Sequence, residues 1–168
     1  MRSKLTIVAF GLSVVLGTGS LAFGYSQAGV PDTARWCVLF GIMWILAHLR
    51  KYYWFSALGL FLTIIAAAYG VWNSFTTIWM LLGALGGLLG WDLSDFARRL
   101  SYAAPTDDVV GMERRHLERA GIVAALGFGI ALLSVYIHIN RLAFEVAVGL
   151  VLLAAIGLSR LVLGLRKY

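Results

Sequence analysis

The sequence predicts an all-α polytopic transmembrane helical bundle of six spans, with both termini on the cytoplasmic side. Three observations carry this. Apolar residues make up 61% of the 168 residues and charged residues only 13%, with a mean hydropathy of +0.86. A soluble domain is about a quarter charged and about half apolar, so lipid is the solvent that suits this composition. The charges also collect at the ends of apolar runs. Finally, twelve of the fourteen Lys and Arg residues fall on one side of the predicted membrane.

Six apolar runs approach the roughly 20 residues a spanning helix needs. They cover about 5–25, 34–49, 53–72, 75–91, 120–139 and 142–159. Pro31 and Asp32 separate the first two. The run from His48 to Trp54, HLRKYYW, puts two cations among amphipathic aromatics at an interface. Asn73-Ser74 makes a tight turn, and Asn140-Arg141 divides the last pair. Trp36, Trp54, Trp72 and Trp91 stand at span ends, where an aromatic belt belongs. The second and fourth runs are short, and a four-span chain with a re-entrant pair is the alternative arrangement.

Charge sets the orientation. With the amino terminus inside, only Arg35 and Arg141 are external, a strong positive-inside bias. Removing any one span would reverse every later loop and destroy that asymmetry. Short loops and this bias suit a prokaryotic plasma membrane. The opening Met1-Arg2-Ser3-Lys4, followed by an apolar stretch and Ser26-Gln27-Ala28, also has the form of a cleaved leader. The stretch is longer than an ordinary leader's, which favours an uncleaved anchor.

Within the spans the packing signal is stronger than any chemical one. Gly83, Gly86, Gly87 and Gly90 form two interleaved GxxxG patterns, 83/87 and 86/90. They predict a flat helix face for close packing, inside the bundle or against another molecule. Gly127 and Gly129 are candidate complements. A weak internal similarity aligns His48 with His138 and Gly59 with Gly149, the form of an inverted repeat in transporters. Ionisable groups are sparse. Glu145 can pair with Arg141, Arg160 can snorkel, and no acidic residue lies at mid-depth. His48 and His138 stand at opposite ends of their spans, so they do not share one haem. Ser13, Thr18, Ser20, Ser56, Thr63, Thr77 and Ser134 can each bond to their own helix backbone. The lone Cys37 makes no internal disulfide or thiol pair and reads as a small apolar filler.

The one long polar segment is 92–119, placed in the cytoplasm. Leu93, Phe96, Ala97 and Leu100 recur at helical spacing, predicting a short amphipathic helix on the membrane surface between the fourth and fifth spans. Asp92 would cap it, Asp95 would pair with Arg99, and Arg98 and Arg99 would face anionic lipid. After Pro105, Thr106 or Asp107 would cap a second helix that runs on into the fifth span. Glu113 and His116 form an E-x-x-H pair, but a di-iron site needs two such pairs and further glutamates. The surrounding arginines also oppose a cation. Arg114 pairing with Glu118 predicts a solvated charged helix instead.

No cofactor is expected, since nucleotide-binding loops, nucleophile–base sets and zinc motifs are missing from the sequence. The net charge of +6 is spent on topology and headgroups, which argues against nucleic acid. The leading expectation is a non-catalytic structural, accessory or assembly component, present as a homo-oligomer or within a larger membrane complex. Its docking surface for a partner or anionic headgroups would be Asp92, Asp95, Arg98, Arg99, Glu113, Arg114, Arg115, His116 and Arg119. A small-solute transporter or channel is the alternative. An interfacial enzyme using Asp92, Asp95, Glu113 and His116 ranks third.

Overall fold

The computed structural model describes residues 4–102 and 108–136. These form five helices and, among the described residues, no strand: α1 Lys4–Gln27, α2 Pro31–Leu49, α3 Phe55–Trp72, α4 Thr77–Leu100 and α5 Val109–Tyr136. The chain divides into two units, Met1–Leu132 and Leu133–Tyr168, and all five helices belong to the first apart from the last residues of α5.

Four helical stretches are long and apolar enough to cross a membrane: Leu5–Gln27, Phe55–Trp72, Thr77–Leu100 and Val109–Leu133. The helix α2 is outside that set, because Pro31, Asp32 and Arg35 occupy its first turns. The sixth expected span, 142–159, lies outside the described residues, as do His138, Arg141, Glu145, Arg160 and the sixth-span part of the proposed repeat.

Helix ends follow local backbone chemistry. Gly29 takes a left-handed φ of 79°, so that Val30 N–H reaches the Tyr25 carbonyl at 3.0 Å and Gly29 N–H the Ser26 carbonyl at 3.1 Å. This bond pair closes α1 by satisfying carbonyls that the helix leaves open. Pro31 then opens α2 with no lost hydrogen bond. The same closure ends α2 at Lys51 (φ 65°) and α3 at Ser74 (φ 60°). There an L side chain takes a conformation that costs of order 1–3 kcal/mol.

The central element is α1, which packs against α2, α3 and α4. Its inward face carries Thr6, Phe10, Val14, Leu21 and Tyr25. Tyr25 donates its hydroxyl to the Ala66 carbonyl on α3 at 2.8 Å. Two apolar clusters result. Leu21, Tyr25, Ala34, Ala67 and Met80 fill one end, and Phe10, Val14, Trp44 and Leu93 fill the other.

Between these clusters, α1 and α4 cross backbone to backbone. A Cβ built on Gly86 would fall 2.6 Å from the Gly17 nitrogen and 2.8 Å from the Ser13 carbonyl oxygen. Gly83 faces Leu21, Gly87 faces Thr63 and Gly90 faces Val14. The α4 glycines are therefore occupied within the bundle, and Gly17 is the complement of Gly86. Gly127 and Gly129, the expected complements, have no neighbour within 4 Å.

The surface of the bundle reverses the soluble pattern. The buried positions of α3 are Ser56, Gly59, Thr63, Ala67 and Gly70, while Phe61, Ile64, Ile65 and Tyr69 point outward. Small residues inside and large apolar residues outside are what lipid-facing helices require.

The fold departs from a further expectation. Residues 92–100 do not form a separate surface helix. They continue α4 without a break, since nothing between Gly90 and Leu100 interrupts helical hydrogen bonding. Leu93 and Ser94 consequently turn into the bundle, 2% and 0% exposed.

Candidate functional site

Polar side chains concentrate at one end of the bundle, where α1 and α3 start, α2 and α4 end, and α5 begins. Two groups of contacts lie there, one sealed and one at the surface.

The sealed group links α2, α3 and α4. Trp44 Nε1–H donates to Ser56 Oγ at 3.1 Å, Ser56 donates to Ser94 Oγ at 2.6 Å, and Ser94 Oγ lies 3.0 Å from His48 Nδ1. The indole is a donor only, so it sets the direction of the chain. The last contact, between Ser94 and His48 Nδ1, runs in the direction the imidazole tautomer sets. Phe10 stacks on the imidazole at 3.9 Å between centroids, and Tyr53 meets it edge-on at 5.6 Å. Ser56 gives and takes one hydrogen bond and Ser94 has two partners, so each buried hydroxyl is satisfied. With His48, Ser56 and Ser94 all buried, this Ser–His contact has no open approach of the kind a nucleophile needs, and acts as an interhelical clasp.

The second group brings α5 to the bundle. Asp108 caps α5, its Oδ1 accepting Gly111 N–H at 2.9 Å. The caps expected from the sequence, Thr106 or Asp107, lie outside the described residues. Glu113, only 3% exposed, accepts the Thr6 backbone N–H at 2.7 Å and also the Thr6 hydroxyl. His116 Nε2 lies 2.8 Å from Asp92 Oδ2, and its ring stacks on Phe96 at 3.9 Å and 9°. Asp92, expected to cap a helix, sits mid-helix and serves this contact instead.

The remaining charges pair locally on the exposed surface. Arg98 and Arg99 both bond to Asp95, Arg99 at 2.8 Å. Arg114 bonds to Glu118 at 2.9 Å, and Arg115 approaches Asp108 at 4.0 Å. Such exposed pairs contribute about 0–1 kcal/mol each, so most of their arginine surface stays available to other anions. Arg119 is exposed on the same helix.

Of the nine expected docking residues, the structure joins Asp92 to His116 and Asp95 to Arg98 and Arg99. It separates Glu113 from His116, sending one to α1 and the other to α4. Among the described residues, no group of three or more His, Cys, Asp or Glu is placed to hold a metal ion.

Sequence reasoning misses the sealed clasp. Ser13, Thr18 and Thr63 do bond to their own helix carbonyls, but Ser56 bonds across helices. A signal existed. Ser94 continues the small-residue line Gly83, Gly87 and Gly90 by one further turn, and that line faces inward. Family models, curated proteins and solved structures give no match to this chain.

Proposed function

We propose that the chain is a six-span integral membrane protein, amino and carboxyl termini inside, working as a non-catalytic structural or assembly component of a membrane complex. Its inner surface, along 92–119, would take anionic headgroups or a partner, and the membrane would be a prokaryotic plasma membrane. The carrying observation is that the polar interior is spent on packing. Trp44, Ser56, Ser94 and His48 satisfy one another while buried. Catalytic groups need a reachable proton or substrate atom, and solute pathways need wetted hydroxyls. The exposed arginines 98, 99, 114, 115 and 119 supply charge of the sign that attracts anionic surfaces.

Two structural features support the reading. With the α4 glycines covered by α1, α2 and α3 side chains and backbone, contact with other molecules falls to the outer faces and the charged end. The helix α1 also supplies Phe10, Val14, Leu21 and Tyr25 to the core, which supports an anchor retained in the folded protein over a removed leader.

Native mass spectrometry from mild detergent tests the function. The expected result is one discrete assembly, with α1 present in the intact mass and the assembly weakened when Arg114, Arg115 and Arg119 become Gln. A monomer that the triple substitution leaves unchanged would sink the proposal.

Topology has its own test. In a Cys37→Ser background, cysteine at Tyr102 should react with an impermeant reagent only from the cytoplasmic side, and cysteine at Ser74 only from outside. The opposite pattern would reverse the orientation.

A further inference from the structure

Among the described residues, the contacts between α5 and the rest of its unit lie in the first turns of α5. Glu113, His116 and Leu117 lie along one face, with Leu117 against the Phe10–Trp44 cluster. Beyond Leu117, none of the described α5 side chains is buried, and Gly121, Gly127 and Gly129 have no neighbour within 4 Å. The position of the long apolar half of α5 on this unit therefore depends on what holds its start.

Two different helices hold it. On α1, Thr6 N–H belongs to the first turn, where amides have no intrahelical carbonyl to bond. Glu113 fills that role from 107 residues away. Its carboxylate also faces the positive end of the α1 dipole, a favourable placement for an anion. On α4, His116 is held between the Asp92 carboxylate and the Phe96 ring. Residues 113 and 116 are one helical turn apart, so anchoring each to a separate helix fixes both the rotation and the tilt of α5.

We infer that Glu113 and His116 form a two-point polar latch that sets the position of α5 on the α1–α4 unit. The latch couples one surface of the bundle to the apolar half of α5. Arg114 and Arg115 lie between the two latch residues in sequence and are exposed. An anion seated on them bears directly on the latch.

The test uses the full chain in lipid nanodiscs, carrying Cys37→Ser and pairs of spin labels at exposed positions. Labels at Leu88 and Leu126 measure α4 to α5, and labels at Ile42 and Leu88 measure α2 to α4 as a control. With Glu113 and His116 present, both pairs should give single narrow distances. Glu113→Gln keeps the shape and removes the charge, and His116→Phe keeps the stacked ring and removes the Asp92 bond. Each should broaden the α4–α5 distance, and Glu113→Ala with His116→Ala should shift it, leaving the control narrow. An α4–α5 distance in the double variant with the same mean and the same width as in the unsubstituted chain would overturn the latch. Equal broadening of the control pair would overturn it too, because these residues would then hold the whole bundle rather than α5.

Discussion

Gly86→Ala should be among the most damaging single-methyl changes in this protein, lowering stability by about 3 kcal/mol or more, at or above the top of the usual overpacking range. The new Cβ would sit 2.6 Å from the Gly17 nitrogen and 2.8 Å from the Ser13 carbonyl oxygen. Both are backbone atoms and cannot rotate aside, so α1 and α4 would have to separate. Gly17→Ala meets the same crossing from the other side at 3.0 Å and should cost less. Gly11→Ala meets nothing within 4 Å and should be neutral or stabilising, by up to about 1 kcal/mol of helix propensity. Unfolding by denaturing detergent, followed by circular dichroism, measures all three. The order Gly86, Gly17, Gly11 is the prediction, and equal effects would mean that α1 and α4 do not cross here.

Trp44→Ala should cost about 3–5 kcal/mol, the range for removing a buried Trp or Phe side chain. Trp44 is fully buried. Its ring lies flat on α3, where a Cβ at Gly59 would come within 2.6 Å of it, and Phe10 meets it edge-on at 6.3 Å. The substitution empties the middle of the inner cluster and takes the donor from Ser56 as well. Trp44→Phe keeps most of the ring and removes the N–H, so it should lose about 1–3 kcal/mol through the bond that Ser56 Oγ no longer accepts. Ser94→Ala in the Trp44→Phe background would then cost less than it does alone, because hydrogen-bonded neighbours are not additive. The same unfolding assay decides. Full additivity would show that the clasp is not a connected chain.

What could be read from the sequence depended on how far apart the interacting residues lie. Contacts within one helix were legible. Asp95 with Arg99 and Arg114 with Glu118 follow from four-residue spacing, and apolar length with Pro31 and Asn73-Ser74 marked the limits of α1, α2 and α3 and the start of α4 to within a few residues. Contacts between helices were not. Nothing near Glu113 points to Thr6, and Asp92 resembles a helix cap until His116, 24 residues on, is seen beside it. The α4 glycines announced a close approach, but α1 answers with Ser13 and Gly17 rather than with a second GxxxG pattern. Reading 92–100 as a surface helix failed for a related reason. Its apolar spacing is equally compatible with a helix that stays attached and turns Leu93 and Ser94 inward.

The crossing of Gly17 and Gly86 also has a consequence in time. Sixty-nine residues separate the two glycines, and synthesis at about 5–20 residues per second puts roughly 3–14 s between their appearances. During that delay α1 stands in lipid without the helix it is shaped for. Ser13 bonds to the Ala9 carbonyl at 2.9 Å and Thr18 to the Val14 carbonyl at 2.8 Å, so the two hydroxyls flanking Gly17 are already satisfied while it waits. A helix that must arrive first and dock late carries its own temporary solvent.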